Sequence, residues 1–147
     1  MKYQDAISSE GVVKPELYPV SATEISDMAS SISFPPELVE CWLQIGCGFF
    51  SRDGSGDRLT TFQNRLVGPD EILDLKEGGV FPEDDPFAVG TPFFETADMR
   101  YLVLKSDGSV AHQSGVWISD SLESFIRSVV EAPEFWLTRL RFKADLD

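Results

Sequence analysis

The stretch Phe34-Pro-Pro-Glu-Leu-Val-Glu-Cys-Trp-Leu-Gln-Ile-Gly-Cys-Gly-Phe-Phe50 decides how the rest of this 147-residue chain is read. Pro36 suits the first helical position, because its missing N–H would be unpaired there anyway. Leu38, Val39, Trp42, Leu43 and Ile45 make a broad apolar face, while Glu37, Glu40 and Gln44 face out. Gly46 can take the left-handed conformation that ends a helix, and Gly48 lets the chain turn before Phe49 and Phe50 enter a strand. The stretch therefore predicts a short buried helix feeding directly into a sheet. Gly46-Cys-Gly48 lacks the further glycine and the preceding strand of a dinucleotide-binding fingerprint, so it reads as a helix stop and a tight turn.

Upstream, Ser21-Ala-Thr-Glu24 fits a capping box, and Ile25, Met28, Ala29 and Ile32 follow at helical spacing, predicting a helix over about Thr23–Ser31. Before it, Pro15 and Pro19 flank an extended lead-in, with a helical turn near Tyr3–Ser8. Downstream, Arg58–Phe62 and Arg65–Val67 read as short strands, and Pro69–Leu75 as a helix with acids in its first turn. Lys76–Pro86 has the composition of a loop. Phe87–Val89 and Pro92–Phe94 read as extended pieces that their prolines confine to sheet edges. Met99–Lys105 and Val110–Gln113 flank Asp107-Gly108, a hairpin signature. Val116–Ile118 is a further strand. Asp120-Ser-Leu-Glu123 resembles a second capping box before a helix reaching Ala132, and Phe135–Phe142 is a helical or extended tail. Helices at both ends of a run of strands predict a single α+β domain, 1–147, with a mainly antiparallel sheet.

Chemistry is sparse. Cys41 and Cys47 are the only cysteines and His112 the only histidine, which is not a zinc set, and two free packed thiols are expected. His112 reads as a surface or half-buried strand residue; Ser114 and Ser119 are its nearest nucleophile candidates, without a serine-hydrolase signature. No catalytic residue, cofactor or metal site is expected. Calcium-loop spacing is missing from Glu83-Asp84-Asp85 and from Asp70, Glu71 and Asp74. The N-terminal Met1–Asp5 lacks the apolar core of a signal peptide, and no apolar run approaches the ~20 residues that span a bilayer. A cytoplasmic protein is expected.

Charge is the outlier: 25 Asp and Glu against 12 Lys and Arg, a net −13. Nucleic acid and anionic membranes would be repelled, and a basic protein attracted. The bias concentrates between Gly68 and Asp98, where nine acids meet one base, Lys76. The candidate partner surface is Asp70, Glu71, Asp74, Glu83, Asp84, Asp85, Glu95 and Asp98, with Phe93 and Phe94 as aromatic anchors.

The order of motifs resembles the SUKH superfamily, the Smi/Knr-like domains. It is carried by Glu24-Ile25, Phe34-Pro-Pro-Glu-Leu38, Ile45-Gly-Cys-Gly-Phe-Phe50 and Asn64-Arg-Leu-Val-Gly-Pro-Asp-Glu-Ile72. Pro92-Phe-Phe94, Tyr101-Leu-Val-Leu104, Asp107-Gly108-Ser-Val110 and Ser121-Leu-Glu-Ser-Phe125 complete it, over about 21–130. The lead-in before Ser21 and the tail after Pro133 lie outside it. The resemblance implies a non-enzymatic immunity protein that binds and masks a cognate secreted or contact-dependent toxin, nucleases being common among such toxins. It implies as the alternative a regulatory protein–protein interaction module of a cytoplasmic pathway. A monomer or weak homo-oligomer is expected.

Overall fold

A computed structural model describes residues 1–8, 14–51, 64–79, 85–96, 100–132 and 135–146. Within them the order is α1 (Lys2–Ile7), β1 (Lys14–Tyr18), α2 (Ala22–Met28), α3 (Pro36–Ile45), β2 (Cys47–Ser51), β3 (Arg65–Leu66) and α4 (Pro69–Gly78). A 3₁₀ turn (Pro86–Ala88), β4 (Thr91–Glu95), β5 (Tyr101–Leu104), β6 (Val110–His112), β7 (Trp117–Ser119), α5 (Leu122–Glu131) and α6 (Phe135–Leu146) follow. The seven strands form one sheet in sequential order, every neighbour antiparallel. The fold is α+β. Among the described residues no helix is long and apolar enough to cross a membrane.

Local signals set most boundaries. Ser21 Oγ accepts from the Glu24 amide at 3.1 Å to start α2. The second cap falls one residue later than the sequence suggested: Ser121, not Asp120, is the N-cap of α5 and accepts from the Ser124 amide. Pro36 opens α3 and Gly46, at φ 82°, closes it. The extended lead-in is a true strand. β1 pairs with β2 along its length, and its backbone passes so close that a Cβ on Gly46 would lie 2.1 Å from the Tyr18 carbonyl oxygen. Gly48 meets Glu16 in the same way. The glycines that end the helix thus also admit the edge strand.

Rows of directly opposed residues share a sheet face. The row Leu17, Gly48, Leu66, Phe94, Leu102, His112 lies on the core face. Onto it pack α3 through Leu38, Cys41, Trp42 and Ile45, and α5 through Leu122, Phe125, Ile126, Val129 and Val130. α1 adds Tyr3 and Ala6, and α6 adds Trp136.

Three expectations change. Phe87–Val89 is not extended: Asp85 caps the 3₁₀ turn by accepting the Phe87 amide at 2.9 Å. Pro92–Phe94 is not an edge, since β4 lies between β3 and β5. Pro92 is tolerated there because the two-residue β3 reaches only Phe94, leaving a ladder partner on the β5 side alone. Leu43 is not core; it is 52% exposed. The expected strand Arg58–Phe62 lies outside the described residues.

Candidate protein-binding surface

The acidic stretch divides once folded. Asp70, Asp74 and Glu77 sit at i, i+4 and i+7 of α4, all exposed, so they share one helix face. Ile72, fully buried, anchors the opposite side. Asp85 is exposed but serves as the 3₁₀ cap. Glu83, Asp84 and Asp98 lie outside the described residues.

Glu71 and Glu95 belong to a different structure. The second face of the sheet carries the row Glu16, Phe49, Arg65, Glu95, Tyr101. Arg65 is bidentate to Glu71, its Nη2 donating to Oε2 at 2.6 Å while its Nη1 donates to Oε1. Nη2 also donates to Glu95 Oε1 at 3.1 Å, and the Tyr101 hydroxyl donates to Glu95 Oε2 at 3.1 Å. A planar guanidinium suits two carboxylates at once. The hydrogen bond that Arg65 donates to Glu71 is the largest influence holding the guanidinium protonated, against the opposing effect of burial. Burial, then Glu95, pushes the Tyr101 phenol up. Glu71 therefore ties α4 to β3 and Glu95 ties β4 to β3 through the same arginine, and neither presents a bare charge to a partner. Sequence spacing could not reveal this, because Arg65 stands 30 residues from Glu95.

Phe93 and Phe94 are both fully buried, which overturns their reading as contact aromatics. Between Pro92 and Phe94 the register with β5 shifts, so Phe93 is an extra residue opposite the Val103–Leu102 step. The bulge lets neighbouring rings reach the same helix: Phe93 and Phe94 stand 5.5 and 4.9 Å from the Phe125 ring, both edge-on.

Apolar contact surface lies instead on α3. Pro36, Val39 and Leu43 form a second apolar stripe, opposite the buried one. With Met1 and Phe34 they line an open groove of about 550 Å³. Phe34 and Pro36 also border a second groove of about 500 Å³, which runs to Phe87, Gly90 and Lys105. The signal for this surface was present in the sequence: seven apolar residues among ten, Pro36 included, exceed what one core-facing stripe requires.

His112 is buried, not half-exposed, because it ends the core-face row. Its Nδ1 receives the Ser114 amide at 3.1 Å and lies 2.8 Å from Ser114 Oγ. The amide can only donate, so Nδ1 accepts and a neutral ring carries its proton on Nε2. The contact locks the β6–β7 turn. Cys41 and Cys47 are free thiols, and burial raises both, with Asp70 and Glu71 adding to the shift at Cys47. Among the described residues no cluster of three His, Cys, Asp or Glu is placed to hold a metal ion.

No protein-family model, curated protein or solved structure matches the chain.

Proposed function

We propose that this chain is an immunity-type protein, which binds a basic toxin domain non-covalently and masks its working surface. The observation that carries the reading is the stripe of exposed carboxylates Asp70, Asp74 and Glu77 on one face of α4, in a chain of net charge −13. The resemblance of motif order to the Smi/Knr-like domains supports the same class. A toxin that acts on nucleic acid presents cations where phosphate binds, and an acidic stripe is complementary to that ground. Long-range attraction raises the association rate above the ~10⁵–10⁶ M⁻¹s⁻¹ of neutral docking, and salt screens it.

The test is growth rescue by co-expression with the toxin-domain product of a neighbouring gene, followed by association kinetics. Asp70→Asn, Asp74→Lys and Glu77→Lys combined leave Glu71 and its Arg65 contact in place. The triple variant is expected to associate about tenfold or more slowly at low salt, with a flattened salt dependence. Unchanged kinetics would remove the acidic stripe from the mechanism. Absence of rescue and of binding would remove the immunity reading and favour a regulatory interaction module.

A further inference from the structure

α3 is apolar on two sides. Leu38, Cys41, Trp42 and Ile45 are buried in the core, Val39 is partly buried at its margin, and Pro36 and Leu43 are exposed on the other side. A soluble helix ordinarily needs a single apolar stripe facing the core, so a second one is surplus to the fold. Here the outer stripe floors the Met1–Leu43 groove, which shares Phe34 and Pro36 with the groove beside the 3₁₀ turn. Glu37, Glu40 and Gln44 lie along one flank of that stripe. Glu40 accepts from Gln44 Nε2 at 3.1 Å through Oε1 and pairs with Lys2 at 3.6 Å through Oε2, both ion-pair side chains near half exposure, an interaction of the weak class that a closer cation displaces.

We infer that this groove seats an amphipathic helix of a basic partner protein, its apolar residues on Val39 and Leu43 and its Lys or Arg side chains toward Glu37 and Glu40. The inference rests on the reading of a basic partner given above and adds the apolar contact that the α4 stripe lacks. Charge complementarity selects the occupant, because an acidic flank beside an apolar floor matches a helix with one basic and one apolar face. A helix suits the site because residues three, four and seven apart on both partners can interdigitate as ridges and grooves. Steering by α4 and seating on α3 are separable: the first sets the association rate, the second the residence time.

The probe is a synthetic leucine–lysine peptide of about four helical turns, with leucines at i, i+3, i+4 and i+7. It is titrated into the full chain carrying labelled Met, Ile, Val and Leu methyl groups. The expected result is shifts of the Met1, Val39 and Leu43 methyls, with binding weakened about tenfold or more by Leu43→Asp and by Glu37→Lys with Glu40→Lys. Val39→Ala provides a milder variant should Leu43→Asp impair folding. Equal binding of a scrambled peptide of the same composition, or shifts confined to Ile72 and Leu73 of α4, would overturn the inference. So would a dimer in sedimentation that Leu43→Asp dissociates, since the occupant would then be a second copy. Because the peptide assay needs no toxin, failure here alongside intact growth rescue removes the groove alone; peptide binding without rescue removes the immunity reading alone.

Discussion

The indole Nε1–H of Trp42 donates to the carbonyl of Val67 at 2.9 Å, joining the centre of α3 to the residue between β3 and α4. Trp42 is almost wholly buried, and Phe34 packs edge-on against it at 5.0 Å. Trp42→Ala is expected to destabilise the fold by about 3–5 kcal/mol. Trp42→Phe restores much of the volume but leaves the buried Val67 carbonyl without its donor, an expected loss of about 1–3 kcal/mol. Urea denaturation at fixed protein concentration measures both. A fully stable Trp42→Ala variant would contradict the structural role.

Phe93 and Phe94 share one partner, Phe125. Each alanine substitution is expected to cost about 3–5 kcal/mol. The double variant should cost a different amount from the sum, by roughly 0.5–3 kcal/mol, because each ring also packs on the other at 6.1 Å. If both variants instead remained stable while partner binding fell, the rings would have to be reassigned to an interface.

Arg65 neutralises two carboxylates at a site only 17% exposed. Arg65→Ala removes the cation that Glu71 and Glu95 share. The expected loss lies between the ~1 kcal/mol of an exposed pair and the ~3–5 kcal/mol of a fully buried one. Arg65→Lys should recover little of it, since one ammonium cannot span both partners with the fork geometry. Thermal melts of the two variants check this, and an Arg65→Lys protein as stable as the parent would refute the bidentate role.

Burial raises Cys41, Tyr3 and Tyr101 above their ordinary values of 9.0, 10.0 and 10.0. In the unfolded chain these groups ionise near those values, while in the fold they stay protonated. Stability linked to them is complete below about pH 9 and falls as pH rises through 9–10 and beyond, by about 1.4 kcal/mol per pH unit for each such group. Denaturation midpoints between pH 7 and pH 11 are expected to decline, and Cys41→Ala should soften the first part of that decline. A flat profile would show that the groups ionise freely in the fold.

Much of the fold was legible in the chain because its signals are local. Pro36, Gly46, Ser21 and Asp107-Gly108 act through atoms within a few residues of themselves, and the short connections from β4 to β7 leave only antiparallel neighbours there. The same locality limited the reading at Pro92, whose tolerance depends on where the distant β3 happens to stop.

What the amino-acid sequence determined by itself was the order of the central elements from α2 to α5, the 3₁₀ turn apart, the α+β class and the surplus of negative charge. Only the tertiary structure decided which charges reach solvent and which aromatics do not. Glu71 and Glu95 look like Asp70 and Asp74 until Arg65 is brought to them, and Phe93 looks available until a bulge turns it onto Phe125. Leu43 reads as core until α3 is placed with its other side inward. The physical reason is common to all three: hydration and pairing are set by the nearest atoms in space, and for these residues those atoms come from remote parts of the chain.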